Sequence, residues 1–261
     1  MSVTVSEVIR EIEVVAAPGL AQEWDNIGLQ VGAPEAPVSR VLMCLEVTEA
    51  VVAEAGEMGA NLIIAHHPLI FRPLDSVRTD RPPGALIRDL LRQEIGVFVA
   101  HTNLDAAPRI GTAAVLADLL GIECEGPLLV EEETGLGCVG QMEEGIPLAE
   151  LIVRVEERLS PARLTVVGES ERIVRRLALM PGAGGDAVGA ANAAGADALI
   201  CGDLKHHDAL DAVAVGLTVI DATHYATERP VLDRLAEHLI GVFGNAVEVE
   251  VSGVVTDPFA G

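Results

Sequence analysis

Positive charge is scarce in this sequence. Against 40 Asp and Glu stand 17 basic residues, sixteen of them Arg, and Lys205 is the one lysine. The formal net charge of −23 excludes sequence-independent binding to DNA or RNA, because a phosphate backbone needs a surface rich in Lys and Arg. A small anionic substrate would need a local positive centre instead. Two readings of the acidity stand side by side: adaptation to a salty cytoplasm, or the codon bias of a GC-rich genome, which also accounts for the abundant Ala and Gly. Long apolar runs are absent too. None approaches the roughly 18 residues of a membrane span, and Met1 to Glu7 lacks the basic and apolar regions of a signal peptide. A cytoplasmic protein is the expectation. The four cysteines, Cys44, Cys124, Cys138 and Cys201, include no Cys-x-x-Cys pair, which removes the zinc-knuckle pattern. Three lie in apolar, strand-like contexts, so buried free thiols are expected.

What the chain does contain is a copy of itself. Arg40-Val41-Leu42-Met43 recurs as Arg176-Leu177-Ala178-Leu179, and Gly59-Ala60-Asn61-Leu62-Ile63-Ile64 recurs as Gly195-Ala196-Asp197-Ala198-Leu199-Ile200, both at a spacing of 136 residues. Val31-Gly32 and Val167-Gly168 share that register. Gly96-Val97-Phe98-Val99 and Gly216-Leu217-Thr218-Val219 match at 120, which implies a shorter connector in the second copy. Self-similarity of this kind marks a duplicated structural unit.

Apolar runs alternate with helical patterns through both copies. Strands are predicted at Val41 to Leu45, Asn61 to Ala65 and Val97 to Ala100, with helices at Val5 to Ala17, Thr48 to Met58 and Pro83 to Gln93. The second copy repeats strands at Leu177 to Met180, Ala198 to Cys201 and Thr218 to Asp221. A last helix runs from near Thr227 to about Phe243, and Ala246 to Ser252 closes the chain as a half-exposed edge strand. The predicted fold class is α/β, built from duplicated three-layer α/β/α units with mainly parallel sheets. The first unit is expected over residues 1–123 and the second over 124–261, with 227–252 packing back on the first.

In open parallel sheets, ligands sit beyond the carboxyl ends of the strands. That is where the two copies diverge. The first reads His66-His67-Pro68 and, after the next strand, His101-Thr102-Asn103-Leu104-Asp105. The second reads Cys201-Gly202-Asp203 and then Asp221-Ala222-Thr223-His224-Tyr225-Ala226-Thr227-Glu228. His224 and Glu228, four apart on a helix, share one face. His66, His67, Asp105, His224 and Glu228 therefore form the candidate metal set. Mixed N and O donors suit Zn, Mn, Fe, Co or Ni and do not choose among them. Five ligands exceed the needs of one tetrahedral ion, so two divalent ions are expected, an arrangement suited to hydrolysis.

Asp25-Asn26-Ile27-Gly28-Leu29-Gln30-Val31-Gly32, His66-His67-Pro68-Leu69-Ile70-Phe71, His101 to Asp105, Gly202-Asp203-Leu204-Lys205-His206-His207 and His224 to Glu228 together resemble the Nif-three-like (NGG-interacting-factor-like) proteins. These are also called GTP cyclohydrolase I type 2 homologues. The resemblance spans Trp24 to Phe259. It implies a Nif-three-like fold in its short form, a dinuclear centre on the same five residues, and a toroidal homohexamer. It also implies a hydrolase acting on GTP, another nucleotide or a small phosphorylated substrate; the competing reading is a metal-holding or metal-delivering protein that works through protein partners. One departure is Glu46, where the family pattern leads one to expect Asp.

His206 and His207 are the candidate proton-transferring residues. At the spacing of 136 they fall opposite Ile70 and Phe71, so the cleft wall is preferred to direct ligation, with Asp203 as an orienting carboxylate. His101 is assigned beside the ligands and His238 to a solvent-facing helix position. Pro181 to Asp186, rich in glycine between a strand and a helix, is either an anion cradle or a tight-packing turn.

Overall fold

The computed structural model describes residues 2–131, 134–169 and 171–260. The chain forms two compact units, Met1–Ala107 with Leu232–Thr256, and Pro108–Val231 with Asp257–Gly261.

In the first unit a five-stranded sheet is ordered Glu248–Val251, Arg40–Cys44, Leu62–Ala65, Gly96–Val99 and Gly28–Val31. The first four run parallel, and Gly28–Val31 is antiparallel at the far edge. Arg40–Cys44, Leu62–Ala65 and Gly96–Val99 are apolar on both faces because both are covered. Val41, Ile63, Val97 and their neighbours are buried, as parallel strands require. The helix Glu49–Met58 begins at Thr48, whose hydroxyl accepts from Val51 N at 3.3 Å. It packs with Gly84–Arg92 through Val51, Val52, Ala55, Leu86 and Leu90. The N-terminal helix, Val5–Val15, buries Val5, Val8 and Ile12 on one stripe.

The second unit has a six-stranded sheet in the order Thr165–Val167, Thr218–Asp221, Ala198–Gly202, Ile173–Ala183, Cys138–Pro147 and Glu123–Gly126. Its three central strands are parallel over Ile173–Ala183, Ala198–Gly202 and Thr218–Asp221; the flanking strands are antiparallel. Both matched runs of the repeat thus fall on equivalent parallel strands. Thr112–Leu120, a helix without a clear sequence signal, packs Leu116 and Leu120 against Val174 and Leu177, and so belongs with this unit.

Three expectations need correction. Cys124 and Cys138 are not free thiols but form a disulfide, with Cα atoms 6.0 Å apart, because Glu123–Gly126 and Cys138–Pro147 are neighbouring antiparallel strands. Cys44 and Cys201 are the free, buried pair. Burial pushes both thiols well above the usual range, and nearby carboxylates (Glu46 and Glu54 for Cys44; Asp221 and Asp203 for Cys201) add to it. The last helix is also two helices, His224–Glu228 and Pro230–Phe243. Pro230 starts the second one, where a missing N–H is tolerated. His238 on it is half-buried rather than solvent-facing, and its Nε2 lies 3.3 Å from the Glu11 carbonyl.

Candidate metal centre

The first unit gathers its histidines at the ends of two adjacent parallel strands. Leu62–Ala65 ends in His66 and His67, whose backbone N–H groups donate to Cys44 O at 3.0 Å and Leu45 O at 2.8 Å. Strand pairing therefore continues one step past the strand and fixes the exit of both residues. Gly96–Val99 leads through Ala100 to His101, and one helical turn, Thr102–Asp105, brings Asp105 back to the same end. Ring centroids of His66 and His67 are 4.9 Å apart, and His101 lies 5.2 and 5.5 Å from them. Ligand-capable atoms of these three residues lie within 4.8 Å of one another. Nε2 of His66 is 3.6 Å from Oδ1 of Asp105.

Each imidazole is held by its other nitrogen. Nδ1 of His66 is 3.0 Å from the Ala100 carbonyl, Nδ1 of His67 is 3.0 Å from Oε1 of Glu46, and Nδ1 of His101 is 2.9 Å from Oδ1 of Asp25. A carbonyl or carboxylate oxygen only accepts, so Nδ1 carries a proton, and in the neutral ring the lone pair is on Nε2. The Glu46 carboxylate also accepts from the Thr256 hydroxyl. Glu46, the departure from the family pattern, reaches His67 with its longer side chain. Asp25 accepts from Thr102 N at 3.1 Å and Thr102 Oγ1 at 2.6 Å besides His101. Burial by itself raises the pKa of Asp25, but the hydrogen bonds from His101 and Thr102 outweigh it and bring it down to about 2.

The second unit repeats the device. Past Thr218–Asp221, the chain turns at Thr223 with φ 68°, and the Thr223 hydroxyl accepts from Ala226 N at 3.2 Å to start His224–Glu228. Asp221 holds both flanking turns, accepting from Thr223 N at 2.9 Å and Leu204 N at 3.2 Å. His224 Nδ1 lies 2.8 Å from Oδ2 of Asp203, and its Nε2 lies 3.1 Å from Oε2 of Glu228. Asp203 thus orients His224 rather than His206 or His207. An Nε2 lone pair facing a buried carboxylate is repulsive unless a cation, proton or metal, lies with them.

The glycine loop serves this carboxylate. Gly182 has φ 69°, and a Cβ there would lie 2.0 Å from Oε1 of Glu228 and 3.3 Å from Nε2 of His224. Gly182 N donates to Thr227 Oγ1 at 3.0 Å, Gly184 N to Gly182 O at 2.9 Å, and Ala187 N to Gly184 O at 3.1 Å. A Cβ on Gly184 would strike Met180 O at 2.2 Å, and one on Gly185 would meet Asp203 O at 2.9 Å. These glycines allow close packing around Glu228 and Asp203, the second of the two readings. His206 and His207 are exposed at the start of the helix His206–Val215, with ring centroids 5.4 Å apart. Among the described residues, no metal-capable group of three includes either.

Strand-end histidines oriented through Nδ1, on a duplicated α/β scaffold, coincide with a family model that spans residues 3–258: Duf34/NIF3 (NGG1p interacting factor 3). The chain belongs to this family. It is similar to a GTP cyclohydrolase 1 type 2 homolog of Clostridium perfringens, at 34% identity over 97% of this chain and 98% of the relative. It is also similar to a GTP cyclohydrolase 1 type 2 of Helicobacter pylori, at 33% identity over 86% and 87%. Among solved structures, a Bacillus cereus protein related to NIF3 superposes with a TM-score of 0.89 at 26% identity, covering 99% of each chain. A hypothetical protein of Staphylococcus aureus gives 0.89 at 29% identity, again over 99% of each. This NIF3-family member therefore has the NIF3 fold along its whole length.

The donor set fits divalent ions. It offers neutral imidazole Nε2 atoms, carboxylate oxygens and no thiolate, with each histidine's other nitrogen held as metal-binding histidines usually are. Sequence reasoning named His66, His67, Asp105, His224 and Glu228 as candidate ligands and did not name Asp25 or Glu46 as hydrogen-bond partners of His101 and His67. Asp25 stands at the head of a quoted motif, and that is the one signal that could have found it.

Proposed function

We propose that this protein binds two divalent metal ions per subunit through His66, His67, Asp105, His224 and Glu228, and hydrolyses a nucleotide or small phosphorylated substrate. The observation that carries the reading is the common orientation of four histidines, each with Nδ1 tied to an oxygen, which leaves Nε2 as the nitrogen available to a metal. When bound, such ions polarise an oxygen of the substrate and lower the pKa of water. The chain's own residues do the rest. Glu46, Asp203 and the Ala100 carbonyl hold the imidazoles in one tautomer, and buried Glu228 supplies negative charge that offsets the ions. His206 and His207, exposed on their helix, are proposed to move protons. The names of the C. perfringens and H. pylori relatives make the GTP cyclohydrolase reaction the first activity to test. A toroidal homohexamer in the cytoplasm belongs to the same proposal. Among the described residues, no helix is long and apolar enough to cross a membrane.

Metal analysis of untagged protein, followed by a panel of nucleotides and phosphoesters with the metal found, tests this. Stoichiometric metal with turnover supports it. Metal without turnover on the whole panel favours the metal-holding reading, and absence of metal from protein incubated with Zn or Mn contradicts both.

A further inference from the structure

The chain has one Trp, one Tyr and four Phe. With so few aromatics, an exposed pair is unexpected, yet Trp24 is 60% and Phe71 45% exposed. They touch edge to face, with centroids 5.9 Å apart and planes at 68°. Trp24 also meets the His101 ring at 6.2 Å, and His101 is one of the three clustered histidines of the first unit. The aromatic pair thus borders that cluster directly.

Both side chains are borne on pinned backbone. Trp24 lies in the turn closed by Asp25 N donating to Gln22 O at 3.0 Å, and Gln22 N donates to Thr102 Oγ1 at 3.0 Å. Asp25 is tied to Thr102 and His101. Phe71 follows Ile70, whose N–H donates to Gln30 Oε1 at 2.8 Å and whose carbonyl accepts from Gln30 Nε2 at 3.2 Å and from Asn26 Nδ2. An edge-to-face pair leaves ring faces open for a third ring. Because the chain is strongly acidic, it offers an anionic tail little general attraction. Stacking needs no positive charge.

We infer that Trp24 and Phe71 form a platform that stacks the planar heteroaromatic ring of the substrate, a purine base, beside the first-unit histidines. This deepens the hydrolase reading and rests on it for the identity of the ligand.

Because Trp24 is the single tryptophan, its fluorescence reports the platform directly in the full-length protein. Emission excited on the red edge is titrated with guanosine, GTP and inorganic tripolyphosphate, and metal content is measured on the same samples. Guanosine and GTP should quench saturably while tripolyphosphate leaves emission unchanged. Phe71→Ala should weaken guanosine binding about tenfold, within the range of base stacking on aromatic side chains, and Phe71→Tyr should restore it. No saturable quenching by guanosine, or the same affinity in Phe71→Ala, would overturn the platform. Blue-shifted Trp24 emission already shielded from acrylamide before ligand is added would also overturn it, pointing to an interface between copies. Full metal occupancy without quenching sinks the platform and leaves the metal reading standing. Quenching by metal-free protein that cannot be loaded supports the platform and sinks the metal reading.

Discussion

Nδ1 of His224 donates to the Asp203 carboxylate across 2.8 Å, and on the other side of the ring Nε2 faces Glu228 at 3.1 Å. The imidazole is thus held between two carboxylates, one that fixes its tautomer and one proposed to share its metal. Removing the first should loosen the second. Asp203 has φ 54°, a conformation that Asn tolerates better than Ala, so Asp203→Asn is the informative change. It should weaken metal binding by about tenfold or more, as losses of such orienting partners do, with the fold intact by circular dichroism. Calorimetric titration with Zn or Mn measures it.

Gly182 gives a sharper contrast. Ala there would carry both the left-handed backbone penalty, roughly 1–2 kcal/mol, and a Cβ 2.0 Å from Oε1 of Glu228. Gly216 has nearly the same φ, 70°, with nothing within 4 Å of its Cβ position. Gly216→Ala should therefore lose comparable stability in urea but keep its metal. Gly182→Ala should lose both, and equal metal content in the two variants would mean that Glu228 is no ligand.

Asp25 sets an acid limit for the first unit. Its pKa falls from 3.8 to about 2 on folding, which corresponds to roughly 1–2 kcal/mol of stability once discounted for solvent screening. A depressed carboxylate pKa contributes fully above the unfolded value and is lost as pH falls through the folded one. Asp25→Asn should thus be less stable than wild type at pH 7 by about that amount, with the gap closing between pH 4 and pH 2. Denaturant melts across that window check the sign.

His206 and His207 separate metal binding from catalysis. Both are exposed and join no metal-capable group among the described residues. Replacing both by Ala should leave metal stoichiometry and thermal stability unchanged while turnover falls at least tenfold, within the usual reach of proton-transfer groups. Loss of metal would instead make them ligands.

The parallel strands and their terminal histidines were legible because a fully buried strand writes itself as a continuous apolar run, and the repeat set Leu62–Ala65 and Ala198–Gly202 in one register. The helix Thr112–Leu120 was not, since it buries Thr112, Ala113, Val115, Leu116, Ala117 and Leu120 and so shows no polar stripe. The Cys124–Cys138 bridge needed strand pairing that spacing does not reveal. The anchors were hidden for the same reason. Asp25 meets His101 across 76 residues and Glu46 meets His67 across 21, distances that only the folded sheet converts into contacts.

Of the five proposed ligands, Glu228, buried and with two carboxylate oxygens, would hold both ions. Calorimetric titration of metal-free wild type and Glu228→Gln with Zn or Mn tests it most directly. Two ions per subunit are expected in wild type, and in Glu228→Gln a weakening of both sites greater than His66→Ala causes in either. Two sites of wild-type affinity in Glu228→Gln would contradict it.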